Sequence, residues 1–154
     1  MKPLLVGESN PYQTTAADAD RYALYPQPPN ASGGRLCRFV MGLNPHDYLR
    51  MFDRVDLCHP RWSIRAARDK AAQLVAERDT ASVIVLCGAK VAAAFGVPSQ
   101  PFRIHHPRAN HPRLVVLPHP SGLCRTWHEP KAVEGARWIL RQAGVLPFEE
   151  DAAS

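Results

Sequence analysis

Leu114-Val115-Val116-Leu117-Pro118-His119-Pro120-Ser121-Gly122-Leu123-Cys124-Arg125 joins a short apolar run to a rigid polar turn. Leu114 to Leu117 reads as a buried strand. Pro118 and Pro120 stop it, because neither has an N–H to give to a ladder and each restrains the residue before it. His119 is therefore held between two prolines at the carboxyl end of a strand. Ser121 and Gly122 supply a tight turn, and Leu123 falls on a tip expected to be exposed.

A second unit of the same kind lies near the start of the chain. Pro3 to Val6 is a short apolar strand, and Gly7-Glu8-Ser9-Asn10-Pro11-Tyr12 follows it as a polar loop with an Asn-Pro turn. Between the two units, Arg54 to Cys58 alternates as a strand, and Ser82 to Cys87 is a continuous apolar strand of the kind buried on both faces. Helical spacing of apolar residues runs from Arg35 to Leu43, His46 to Phe52, Ser63 to Arg78 and Ala89 to Phe95. A last helix follows Glu129-Pro130 and stops at Gly144. Residues 13–32, with Tyr22, Tyr25 and several prolines, read as a long ordered loop. This alternation predicts an α/β domain over residues 1–148, with a mainly parallel sheet, helices on both faces and a frayed tail over 149–154. In such sheets ligands bind at the carboxyl ends of the strands, where both polar loops lie.

The 154 residues are 45% hydrophobic and carry a net charge of +5, so a globular fold with a polyanionic partner is favoured. No apolar run is long enough to span a bilayer and the N-terminus lacks a signal-peptide pattern, which predicts a cytoplasmic protein with no membrane partner. Cys37, Cys58, Cys87 and Cys124 form no CxxC pair and read as reduced structural thiols. His105, His106 and His111 have no carboxylate or cysteine beside them. They read as a basic phosphate-contacting loop with no metal expected.

Each residue at the sheet edge has a plain reading and a chemical one. His119 is either structural or a stabiliser of charge developing on a leaving group. Asn10 and Glu8 are a turn residue and a surface charge, or one of them positions a water. Leu123 packs inward, or is an apolar wedge between base steps with Arg125 on a phosphate. Tyr12, Tyr22 and Tyr25 are loop packing, or a flat wall for a planar ligand.

Gly7 to Tyr12 and His119 to Arg125 together resemble the two active-site motifs of the uracil-DNA glycosylase superfamily. The second is similar to the Asn-Pro-Ser-Gly-Leu-Ser-Arg loop of the mismatch-specific branch, with the histidine of most other branches in first place. Val83 to Phe95, with its Gly88-Ala89-Lys90-Val91-Ala92 turn, resembles the third strand and following helix of the iron–sulfur branches. The resemblance implies a three-layer αβα sandwich with a four-stranded parallel sheet. It also implies a monomeric DNA repair enzyme of base excision, a hydrolase that cleaves the N-glycosidic bond of a flipped base without a cofactor. It gives His119 the departing base anion, Leu123 the hole in the stack, Ser121, Gly122 and Arg125 the DNA backbone, and Tyr25 the face of the base.

The first motif carries one residue more than its relatives. Asn10 matches the asparagine of Gly-x-Asn-Pro and Glu8 the glutamate of Gly-Glu-x-Pro-Gly, so the water has two candidate handlers. Tyr12 falls where the uracil-specific branch has a tyrosine against the thymine methyl group, and where other branches have glycine. The cluster cysteines of the iron–sulfur branches are absent. Asp56 stands where a base-reading asparagine is usual. An ionised aspartate only accepts hydrogen bonds, so it would favour a base with an exocyclic amino group. A strand-end aspartate bonded to backbone is the plain reading. The alternatives to a glycosylase are a catalytically silent nucleic-acid-binding relative and a hydrolase of free nucleosides or nucleotides.

Overall fold

A computed structural model of the chain describes residues 1–10 and 15–148. Tyr12 and the tail expected over 149–154 lie outside the described residues. In chain order the elements are β1 (Leu4–Ser9), α1 (Ala16–Arg21), α2 (Ser32–Gly34), a π-helical segment (Arg35–Val40), α3 (Pro45–Met51), β2 (Asp53–Cys58), α4 (Ile64–Glu77), β3 (Val83–Cys87), α5 (Ala89–Ala94), β4 (Arg103–His105), β5 (Arg113–Leu117), a 3-10 turn (Arg125–His128) and α6 (Ala132–Gln142).

The sheet order is β2-β1-β3-β5-β4. The first four strands are mutually parallel and β4 is antiparallel to β5. The expected four-stranded parallel sheet is thus the core of a five-stranded one. Arg103 pairs with Val116 and His105 with Leu114, so part of the supposed basic loop is an edge strand. Its three residues have no apolar alternation to announce a strand. Its pairing comes from the otherwise open edge of β5, whose N–H and C=O groups it satisfies.

Two cores sandwich the sheet. On one face Ala67, Ala71 and Leu74 of α4 and Val91 and Ala92 of α5 meet Val6, Ile84, Leu86 and Val116. On the other, Leu36 and Val40 of the π-helical segment and Ala136 and Leu140 of α6 meet Leu5, Val85, Val115 and Leu117. This is the expected three-layer α/β arrangement. Helix starts follow local chemistry: the Asn44 side chain accepts from the Asp47 N–H at 2.8 Å with Pro45 next to it, and the Ser63 hydroxyl caps α4.

Residues 15–32 are less irregular than the sequence implied. Thr15 accepts from the Asp18 N–H at 3.1 Å and starts α1, a capping signal within a stretch that lacks apolar periodicity. Further on, the Met41 N–H bonds the Leu36 carbonyl five residues back, the wider repeat of a π-helix. No helix among the described residues is long and apolar enough to cross a membrane.

Candidate active site

β1 lies between β2 and β3, and the chain leaves β1 towards one side of the sheet and β3 towards the other. Diverging connections open a crevice at the carboxyl ends of those two strands. A cleft of about 490 Å³ occupies it, within the ~300–1,000 Å³ common for small-molecule sites. Gly7, Asp56 and Cys87 lie at the sheet side of the cleft; Glu8 and Ser9, which extend β1 beyond the expected Val6, line it from that strand's end, and Asn10, His119 and Pro120 from the loops after β1 and β5. Tyr22, Leu24, Tyr25 and the Ala31–Gly33 backbone form the facing wall.

His119 is fixed at three points. Its carbonyl accepts from the Trp127 indole at 2.7 Å, the next carbonyl, of Pro120, accepts from Arg35 Nε at 3.0 Å, and its ring Nδ1 accepts from the Ser121 N–H at 3.1 Å. A ring nitrogen that accepts carries no proton, so the imidazole proton resides on Nε2. That nitrogen lies 3.8 Å from Glu8 Oε1, beyond direct hydrogen-bond length. Nε2 thus remains a donor available to a ligand, with a carboxylate beside it. Gly88, the residue after β3, lies against this pair. Its φ of +116° suits glycine alone, and a Cβ there would stand 3.3 Å from the His119 side chain and 3.6 Å from Glu8 Oε1.

Asn10 also lines the cleft, and its backbone carbonyl lies 2.9 Å from Nδ1 of His59 at the end of β2. Glu8 carries the carboxylate that lies nearest the histidine ring, 3.8 Å from Nε2.

Asp56 is 9% exposed and sits opposite Gly7 in the β1–β2 ladder. A Cβ at Gly7 would collide with Asp56 Oδ1, so the missing side chain makes the space for the carboxyl. Burial, with Asp20 and Glu8 nearby and only Arg54 opposing, pushes its pKa up to about 7. The plain reading of Asp56, a strand-end aspartate bonded to backbone, is therefore corrected, and the reading as an acceptor-only carboxylate is modified by the proton held into the neutral range. No hydrogen bond to its carboxyl is present among the described residues, and its proton is held into the neutral range. The unfolded chain loses this proton near pH 4, whereas the folded chain keeps it until about 7. The fold therefore loses stability as pH rises through that window. Asp56→Asn is expected to flatten this part of the profile, measured as Tm between about pH 5 and pH 8. The neighbouring Cys87 thiol is pushed by burial, and then by Asp56, to about 12, and stays protonated.

Tyr25 and Tyr22 meet edge to face at 5.1 Å in the wall. Arg54 holds this loop from below, donating to the carbonyls of Ala23 at 2.8 Å and Arg21 at 3.2 Å, and lying over the Tyr25 ring. The Tyr48 hydroxyl donates to the Leu24 carbonyl at 2.7 Å. None of these supports is visible in sequence, because each spans more than twenty residues.

The loop after β5 closes on itself: the Ser121 hydroxyl accepts from the Leu123 N–H at 3.1 Å and its carbonyl from the Cys124 N–H at 3.0 Å. Gly122 and Arg125 are exposed, and Leu123 is 92% exposed, the barest large apolar side chain described. The segment 106–112 has moved out of the site. Because His105 pairs with Leu114, it joins the amino end of β5, opposite the cleft. Other cations do stand at the carboxyl edge. Arg61 follows β2 and Lys90 begins α5 after β3, both exposed. A cation three residues beyond a buried strand was the signal for each of them. No group of three or more metal-ligating side chains comes together among the described residues.

No protein-family model matches the chain, and no curated protein matches it.

Proposed function

We propose that the protein is a DNA glycosylase that hydrolyses the N-glycosidic bond of a base flipped into the cleft between β1 and β3. The observation that carries this reading is a histidine with Nε2–H free to donate, 3.8 Å from a carboxylate, on the same loop as an exposed leucine. Cleavage leaves an anion on the base and positive charge on the sugar. A preorganised N–H donor favours the first, and the Glu8 carboxylate favours the second while orienting the water that attacks C1′. The position of the Glu8 carboxylate beside His119 Nε2 favours Glu8 for the water. Tyr25 offers an aromatic face to the base.

Leu123 is suited to fill the space vacated by the flipped base, and stacking lost on flipping costs a few kcal/mol. Arg125, Arg61 and Lys90, exposed beyond the carboxyl ends of β5, β2 and β3, are suited to contact phosphates. A monomer acting on DNA needs no further chain to complete this site.

The test is incubation with oligonucleotides carrying uracil, hypoxanthine or modified cytosines, scored for alkali-labile abasic sites. Base release supports the reading, and intact oligonucleotides across the panel overturn it. Leu123→Ala is expected to leave Tm unchanged, since the side chain touches little in the free protein, and to slow release from duplex by roughly tenfold. Release from single strands should change much less, because no stack has to be refilled.

A further inference from the structure

We infer that Asp56 reads the hydrogen-bonding edge of the bound base as a carboxylic acid, and that the cleft consequently accepts both lactam edges (C=O beside N–H) and amidine edges (ring N beside NH2). This inference rests on the glycosylase reading for the identity of the ligand as a base. Its geometry does not. The carboxyl is a lining group of the cleft, sits in the gap left by Gly7, and makes no hydrogen bond among the described residues. A polar group so deeply buried is costly unless something bonds it, and what enters the cleft is the available partner.

The chemistry follows from proton position. A carboxylic acid has one O–H donor and one C=O acceptor, and the proton can sit on either oxygen. With the proton on one oxygen it donates to a carbonyl and accepts from an adjacent ring N–H. With the proton on the other it donates to a ring nitrogen and accepts from an adjacent amino group. No side chain has to rotate. The carboxylate can do neither in full, because it only accepts, and it faces the base's own acceptor.

Every charged or titratable group against Asp56 bears on this. Glu8 on β1 and Asp20 on α1 disfavour the carboxylate, and Arg54 on β2 favours it. Cys87 on β3 and Tyr48 on α3 also couple to it, and burial raises both, so both remain neutral. Two acids and burial against one cation keep the proton on Asp56 into the neutral range. The acid fraction then falls roughly tenfold between about pH 6 and pH 8.

Binding of the free bases uracil and cytosine, measured by calorimetry or NMR titration, tests the edge without requiring hydrolysis. Wild type should bind both at about pH 6 and each roughly tenfold more weakly at about pH 8, and in Asp56→Asn the pH dependence should vanish. Binding of only one of the two bases, or equal affinity at both pH values, overturns the inference. So does an Asp56→Asn protein that is folded by Tm and keeps the wild-type pH profile. If the free bases follow this pattern while all modified oligonucleotides stay intact, edge reading stands and the glycosylase reading fails. If oligonucleotides are cleaved at a rate that is flat across this range, the glycosylase reading stands and edge reading fails.

Discussion

His119→Ala is expected to reduce base release by about a hundredfold to a thousandfold while leaving the fold and DNA affinity nearly unchanged. That range is the usual cost of removing one preorganised donor from a developing anion. The ring contributes little packing: it is a third exposed, and the loop is held through main-chain groups that survive the change. Trp127 and Arg35 would still bond the carbonyls of residues 119 and 120. The Ser121 N–H loses its acceptor but lies near solvent. Single-turnover release from an oligonucleotide, with Tm and an equilibrium binding curve as controls, checks this. A variant that releases base at the wild-type rate removes His119 from the mechanism. If activity is lost because DNA no longer binds, the histidine is a binding residue and the anion must be stabilised by another group.

Gly33→Ala is expected to destabilise the protein by about 3 kcal/mol or more and to close the cleft. Gly33 packs against the Leu24 and Tyr25 backbone so closely that a Cβ would overlap Leu24 C and O and Tyr25 O. Those neighbours are main chain and cannot rotate aside. Leu24 is already at φ +47° and its carbonyl is bonded by Tyr48. The strain therefore spreads into the wall that carries Tyr22 and Tyr25. Overpacking a tight site costs typically 1–3 kcal/mol, and more where the clash is with backbone. In a domain of this size that lowers Tm by about 6–12 °C. Thermal unfolding reads the first effect, and base-binding affinity the second. By contrast, Gly96 and Gly135 have open space where a Cβ would stand. An alanine at Gly135, in α6, should be tolerated, which makes it a matched control. A Gly33→Ala protein with wild-type Tm would mean that residues 24–25 are free to move away, and the wall would then be a poor surface for stacking.

Much of the layered fold was legible because its signals are local. Continuous apolar runs at 83–87 and 114–117 become strands buried from both sides, and the stripe along α4 packs where its spacing directs. His119 and Glu8 were legible for a related reason: His119 stands just beyond an apolar strand and Glu8 at the carboxyl end of one, and parallel strands put their carboxyl ends on one edge. The same logic failed for Arg103–His105. Its strand character is borrowed from β5, and only the register reveals that residues 106–112 are carried to the opposite edge.

By itself, then, the sequence determined the four parallel strands, their common direction and the two loops that must meet. Periodicity and proline placement act within a few residues, and chain connectivity does the rest. Only the tertiary structure decided what those loops can do. Which nitrogen of His119 holds the proton depends on the Ser121 N–H and the loop's fold. Whether Glu8 faces it depends on the loop after β5 returning His119 to the end of β1, far away in the chain. Whether Asp56 is an acid or a carboxylate depends on burial and on charges from β1, α1 and β2. Proton positions are set by the electrostatics of everything within a few ångströms, and that neighbourhood is assembled from segments far apart in the chain.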